Sequence, residues 1–179
     1  MKRIKVEKYK PVFEGKLFTI QQAKATLPNG KTEIFERACR EPTVTILAID
    51  SKKRLLLNYE YRTHLKKYIW RLPTGRVNKN EKPKQAARRE LMEEAGFDAK
   101  NLTLFGKSIA GQSYHRIHYV YLATNLIPKR INADEGEDIT IKPTTIQKAY
   151  KMVIKEQIKE QDIAYSICRL YWNRKKFLK

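Results

Sequence analysis

The stretch from Gly75 to Phe97, GRVNKNEKPKQAARRELMEEAGF, constrains this chain more than any other. Pro83 has the fixed φ that suits a first helical position and Gly96 is a ready left-handed stop, so the spacing predicts a helix from Pro83 to Gly96. With Glu90 as zero on a wheel of about 100° per residue, Ala87, Leu91 and Ala95 form an apolar stripe at about 60°, 100° and 140°. Glu93, Glu90 and Glu94 fall at about −60°, 0° and 40°, so three head groups are expected to converge within one turn beside that stripe. Lys82, Lys84, Arg88 and Arg89 precede these acids, which reverses the charge order that the helix dipole favours. An acid in a last turn costs about 0.3–1 kcal/mol, and like charges three or four residues apart cost about 0.2–0.5 kcal/mol per pair. A helix selected only for stability would carry the opposite order. The arrangement becomes sensible when a hard divalent cation takes the carboxylate oxygens together with a phosphate.

The charge balance fits that reading. The chain has 38 Lys and Arg against 19 Asp and Glu, a formal charge of +19. Such a surface attracts polyanions: nucleotides, nucleic acid or anionic lipid. Five acids lie between Glu81 and Asp98 and four between Asp134 and Asp138, two negative islands on a cationic body. They point to divalent cations bridging to an anionic substrate. At 179 residues the chain is expected to be essentially one domain whose core needs no staples. Cys39 and Cys168 have no metal-ligand spacing and read as reduced thiols. The N-terminus MKRIKVEKYKP has no apolar segment behind it and no stretch approaches the length of a membrane span, so the expected compartment is the cytoplasm.

Residues 2–9 and 16–41 read as strands, with an Asn29-Gly30 turn between two hairpin arms. TVTILAI (43–49) reads as a buried strand, and RLLLNYEYR (54–62) as its neighbour through the turn DSKK. YIWRLP (68–73) is a shorter strand ended by Pro73. After the helix, NLTLFGKSIAG, residues 115–127 and residues 138–142 read as strands. Two helices follow, 144–157 capped by Thr144 or Thr145 and 162–177 capped by Asp162. The order predicts an α+β domain, a layered α/β/α sandwich, over 42–179, with a β-strand extension over 1–41.

From Gly75 the order is Gly, five residues, Glu81, seven residues, Arg89-Glu90-Leu91, one residue, Glu93-Glu94, one residue, Gly96-Phe97. Seven fixed identities and two apolar positions thus match in full the box of the Nudix hydrolases, which the chain resembles. The resemblance implies a mixed sheet between helices and a Mg²⁺-dependent hydrolase, with Mn²⁺ as a substitute. It implies Glu90 and Glu94 as metal ligands, with Glu93 a ligand directly or through water and the Thr74 carbonyl a further one. Arg89 is expected to hold the carboxylate rotamers, and Glu81 to fix the loop; Gly75 and Gly96 shape the turn ends.

A weaker resemblance to the ADP-ribose and ADP-sugar pyrophosphatase branch runs through LLLNYEYR, LPTGRV, DEGEDITI and KEQIKEQDIAYSICRLYW. It implies a nucleoside diphosphate-linked substrate and a homodimer in which the N-terminal strands take part. It also implies a glutamate of loop 134–138, Glu135 or Glu137, as the base or the positioner of water. Arg62 stands in the slot of a substrate-contacting arginine; Arg37, Arg71 and Arg76 are lesser candidates, and Tyr9, Phe13 and Phe18 are stacking candidates. Two places depart from the branch: Arg71 stands where it usually has Glu, and IAGQSYHR replaces its proline-rich loop. The added arginine suits a more anionic substrate. Two alternatives stay open: a hydrolase of 5′-triphosphate or capped RNA or of dinucleoside polyphosphates, and a non-catalytic sensor.

Overall fold

The computed structural model describes residues 3–111, 113–131 and 138–177, in two compact units. The first comprises the chain up to Pro42 together with Ser108–His118. Its strands are β1 (Lys5–Val6), β2 (Lys10–Glu14), β3 (Thr19–Thr26) and β4 (Thr32–Cys39). β3 and β4 form an antiparallel hairpin running from Thr19↔Cys39 to Thr26↔Thr32. Gly30, at φ 85°, closes it in the left-handed region where glycine carries no steric penalty. β1 and β2 both pair with β3. The strand expected over 2–9 is reduced to Lys5–Val6. β2 carries Pro11, which has no N–H to donate, and its register shifts between Pro11 and Phe13.

The second unit holds Thr43–Lys107 and Tyr119–Lys179. In chain order it contains β5 (Thr43–Ala48), β6 (Arg54–Arg62), β7 (Lys67–Arg71), β8 (Thr74–Arg76) and α1 (Pro83–Glu90). A π-helical turn (Leu91–Ala95) comes next, then β9 (Phe97–Ala110), β10 (Tyr114–Pro128), β11 (Ile139–Thr145), α2 (Ile146–Ile154) and α3 (Gln161–Phe177). β9 and β10 contribute residues to both units. β5 lies between β10 and β8, and β11, β6 and β7 make a second sheet. Every residue of β5 is buried, because its two faces serve two cores. Leu47 packs with Leu55, Leu57 and the inner faces of α2 and α3, including Ile163, Ile167 and Leu170. Val44, Ile46 and Ala48 pack with Ala86, Ala87, Leu91 and Ala95 from α1 and its π turn. This is the α/β/α layering read from the sequence.

Some local expectations are corrected. β5 and β6 are not sheet neighbours; they share one isolated bridge, Ile49↔Leu55, and then diverge. The turn itself explains this. Asp50 Oδ1 accepts from the Lys52 and Arg54 N–H groups at 3.0 and 2.8 Å, and Lys53 takes φ 57°, so the chain leaves in a new direction. The helix expected to run to Gly96 becomes π-helical after Glu90. Of the two expected caps of α2, Thr145 is the one used, accepting from Lys148 N–H. α3 begins at Gln161, so Asp162 lies in its first turn, where an acid suits the dipole.

Candidate active site

β8, the loop after it and α1 bring the glutamates together around one guanidinium. Arg89 donates from Nε and Nη2 to Glu81 at 3.0 and 3.1 Å, and from Nη2 to the Arg76 carbonyl at 2.9 Å. Its Nη1 donates to Glu90 Oε1 at 2.7 Å and to Glu93 Oε2 at 2.8 Å. One planar cation thereby ties the end of β8, the loop and the helix into a single piece, which a lysine's point charge could not do. Burial works against the charged form of Arg89, but the bonds and charges of Glu81, Glu90 and Glu93 outweigh it and raise its pKa. Burial likewise pushes Glu81 up, yet the Arg89 bond, the Asn78 N–H at 3.0 Å and the Arg89 charge hold its carboxyl below the usual range.

Glu94 is held differently. Its Oε2 accepts from Asn58 Nδ2 at 2.7 Å and from the Thr74 N–H at 3.0 Å. Two uncharged donors from β6 and β8 thus set the orientation of a carboxylate that is only 7% exposed. Glu90 is also buried and lies against Gly75: a Cβ there would stand 1.8 Å from Glu90 Oε1. Gly75→Ala is therefore expected to displace Glu90, lowering stability by about 1–3 kcal/mol as overpacking does, together with divalent-cation affinity. Thermal melts and calorimetric titration with Mn²⁺ check both parts.

The donor type fits a hard cation: Glu90, Glu93 and Glu94 offer only carboxylate oxygens, and the space at Gly75 is given over to one of them. Among the described residues, however, no three acidic, histidine or cysteine side chains form a ready metal cage. Glu90 and Glu93 point to Arg89 while Glu94 points to Asn58 and Thr74. The Glu90 carboxylate against Gly75 and Glu94 on the Thr74 N–H thus meet adjacent backbone positions of β8. The wheel assumed α-helical phase throughout, whereas Leu91–Ala95 is a wider π turn closed by Gly96, whose N–H bonds the Leu91 carbonyl.

The remaining candidates fall in several places. Thr74 gives its N–H to Glu94 and its hydroxyl to the Leu72 carbonyl. Arg71 is buried; its Nε lies 2.7 Å from Glu160 Oε1 and its Nη2 donates to Glu160 Oε2 at 3.0 Å, with Glu60 beside Nη1 at 3.4 Å. Arg62 pairs with Glu60 at 2.9 Å. These two cations, expected as substrate contacts, are engaged by carboxylates in the structure. Arg37 belongs to the other unit, bonded to Gln21 and stacked 3.9 Å over the Tyr9 ring. Arg76 is exposed and contributes its carbonyl to Arg89. In the first unit, Phe18 lies 6.2 Å from Tyr114 and Phe13 is exposed. Glu135 and Glu137 lie outside the described residues.

Asn58, Glu60 and Glu160 were missed by the sequence reading. A signal for Asn58 existed: it is a polar residue inside an otherwise apolar run, LLLNY, and such a residue is buried only with a partner. Asn58→Leu should weaken divalent-cation binding about 10–100-fold, as loss of a group orienting a ligand does. Calorimetric titration of the folded variant with Mg²⁺ tests this; unchanged affinity would leave Thr74 N–H as the sufficient support.

A glutamate-rich strand–loop–helix, clamped by one arginine, stands at a mixed sheet between helices. Residues 40–162 match the family described as NUDIX domain. The ADP-ribose pyrophosphatase of Bacillus subtilis (strain 168) is 29% identical over 159 residues, which cover 87% of this chain and 86% of that protein. The methanol dehydrogenase activator of Bacillus methanolicus is 29% identical over 160 residues, covering 88% and 85%. The crystal structure of an ADP compounds hydrolase superposes with a TM-score of 0.78 at 23% identity, covering 98% of this chain and 97% of that one. The chain belongs to the Nudix family.

Proposed function

We propose that the protein hydrolyses the diphosphate of ADP-ribose, an ADP-sugar or a related nucleoside diphosphate sugar, releasing a nucleoside monophosphate and a sugar phosphate. The observation that carries this reading is Glu81, Glu90 and Glu93 assembled around Arg89, with Glu94 held by Asn58 and the Thr74 N–H; the named activity of the Bacillus subtilis relative gives the substrate class. Glu90, Glu94 and Glu93, with the Thr74 carbonyl, would hold Mg²⁺ or Mn²⁺. When bound, such an ion neutralises charge developing on the diphosphate and lowers the pKa of water. Arg89 and Glu81 act as positioning residues that keep the carboxylates in place before substrate arrives. Asn58 does the same for Glu94. Glu137 or Glu135 takes the proton from the attacking water, or orients it; of Glu137→Gln and Glu135→Gln, one is expected to lower kcat at unchanged KM. Normal kcat in both would remove that loop from the chemistry.

The deciding assay is a panel of nucleotide sugars beside 5′-triphosphate RNA, each incubated with Mg²⁺ and analysed for products. Turnover of RNA without turnover of any nucleotide sugar overturns the substrate class. The proposed assembly is a homodimer using the strands of residues 1–41, tested by light scattering of the intact chain and of a chain lacking them. Among the described residues no helix is long and apolar enough to cross a membrane; the cytoplasm is the proposed compartment.

A further inference from the structure

On α2 and α3, far along the chain from the glutamate turn, aromatic and cationic side chains share a surface that the proposed hydrolysis does not use. Tyr150 of α2 and Tyr171 of α3 stack with ring centroids 4.1 Å apart and planes 7° from parallel. Trp172 meets both nearly at right angles, with centroids 5.9 and 5.3 Å away, yet remains 70% exposed. Tyr165, seven residues earlier and so on the same helix face, is 66% exposed. Arg174 covers the Tyr171 ring at 4.4 Å. Ile146–Lys155 has no Asp or Glu and α3 has only Asp162, in its first turn, while Lys148, Lys151, Lys155, Arg174, Lys175 and Lys176 are all exposed.

We propose that this α2–α3 face binds single-stranded nucleic acid, with bases stacking on Trp172 and Tyr165 and the exposed cations meeting the phosphates. Ring edges anchored against the Tyr150–Tyr171 stack hold the indole in place, so little conformational freedom is lost when a base packs on it. Stacking accepts any base, so the face is expected to bind without strong sequence preference. A second copy of the chain is a poor occupant, because a two-fold contact would set six exposed cations against six. The face is separate from the glutamate turn, so this binding does not depend on the proposed hydrolysis.

The test is fluorescence polarisation of a labelled oligouridylate with the intact protein at low salt, with Trp172 emission followed in parallel. Expected are quenching of Trp172, affinity that falls steeply with salt, and binding weakened about tenfold by Trp172→Ala but not by Trp172→Phe. Lys175→Glu with Lys176→Glu should weaken it far more than Lys52→Glu with Lys100→Glu, which changes net charge equally at other exposed sites. All four variants should hydrolyse nucleotide sugars as the unaltered protein does. Absence of binding at low salt, equal losses in the two charge reversals, or insensitivity to Trp172→Ala each overturns the proposal. So does binding to phosphatidylserine vesicles without binding to the oligonucleotide, which would make the face a lipid surface.

Discussion

Glu94→Gln is expected to lower kcat on the order of a hundredfold or more, with little loss of folding stability. The structure explains why the two effects separate. Glu94 Oε2 accepts from Asn58 Nδ2 and Thr74 N–H, and the glutamine carbonyl can take the same two bonds. Its amide nitrogen then occupies the place of Oε1, a donor where a cation needs an oxygen. Shape and support survive, but the anionic ligand does not. Removing a charge that is 7% exposed also relieves some desolvation, which limits any fall in stability. Steady-state kinetics with Mg²⁺ and thermal melts in chelator measure the two parts independently. Full activity on every nucleotide sugar that the unaltered protein cleaves would sink the assignment of Glu94 as a ligand.

Arg89→Ala should fail in the opposite way, through stability as well as activity. The substitution strips a partner from Glu81, Glu90 and Glu93 at once and frees the Arg76 carbonyl. Breaking a well-buried pair costs about 3–5 kcal/mol; Arg89 is 25% exposed, so about 3 kcal/mol is the better figure. For a chain of this size that lowers Tm by about 6–12 °C. Arg89→Lys should recover little, since one ammonium cannot reproduce the fork that spans three carboxylates. The pH dependence carries a sign. Glu81 titrates below its ordinary value of 4.5 in the folded protein, so its contribution is present above that pH. It is lost as pH falls through the lowered folded value. The stability gap between the unaltered protein and Arg89→Ala should therefore be widest near neutrality and narrow below pH 4.5. A gap that stays constant into acid would show that Arg89 acts through packing alone.

Much of this architecture is local, and local features are legible. Helix start at Pro83, stop at Gly96 and the strand Arg54–Arg62 coincide with the sequence reading, because proline φ, glycine's left-handed freedom and an apolar run act within a few residues. Spacing from Gly75 to Phe97 likewise identified the family, since a strand–loop–helix carries its functional residues within one continuous segment.

What the sequence by itself determined, then, is which residues supply the carboxylates and the arginine, and the order of strands and helices that carries them. Only the tertiary structure decided how those groups are aimed. Asn58 meets Glu94 across 36 residues and Arg71 meets Glu160 across 89, and no periodicity reports a contact at such separation. The carboxylates paired with Arg62 and Arg71 were likewise not legible, because a sequence shows a charge but not the partner folded against it. The π turn is decided in the same way. Its residues have ordinary helical propensities, and its wider hydrogen bonding is set where Leu91 and Ala95 are buried against the sheet while Glu94 reaches Asn58 and Thr74. Propensity and pattern act along the chain, whereas the direction of a side chain is settled by neighbours that only folding brings near.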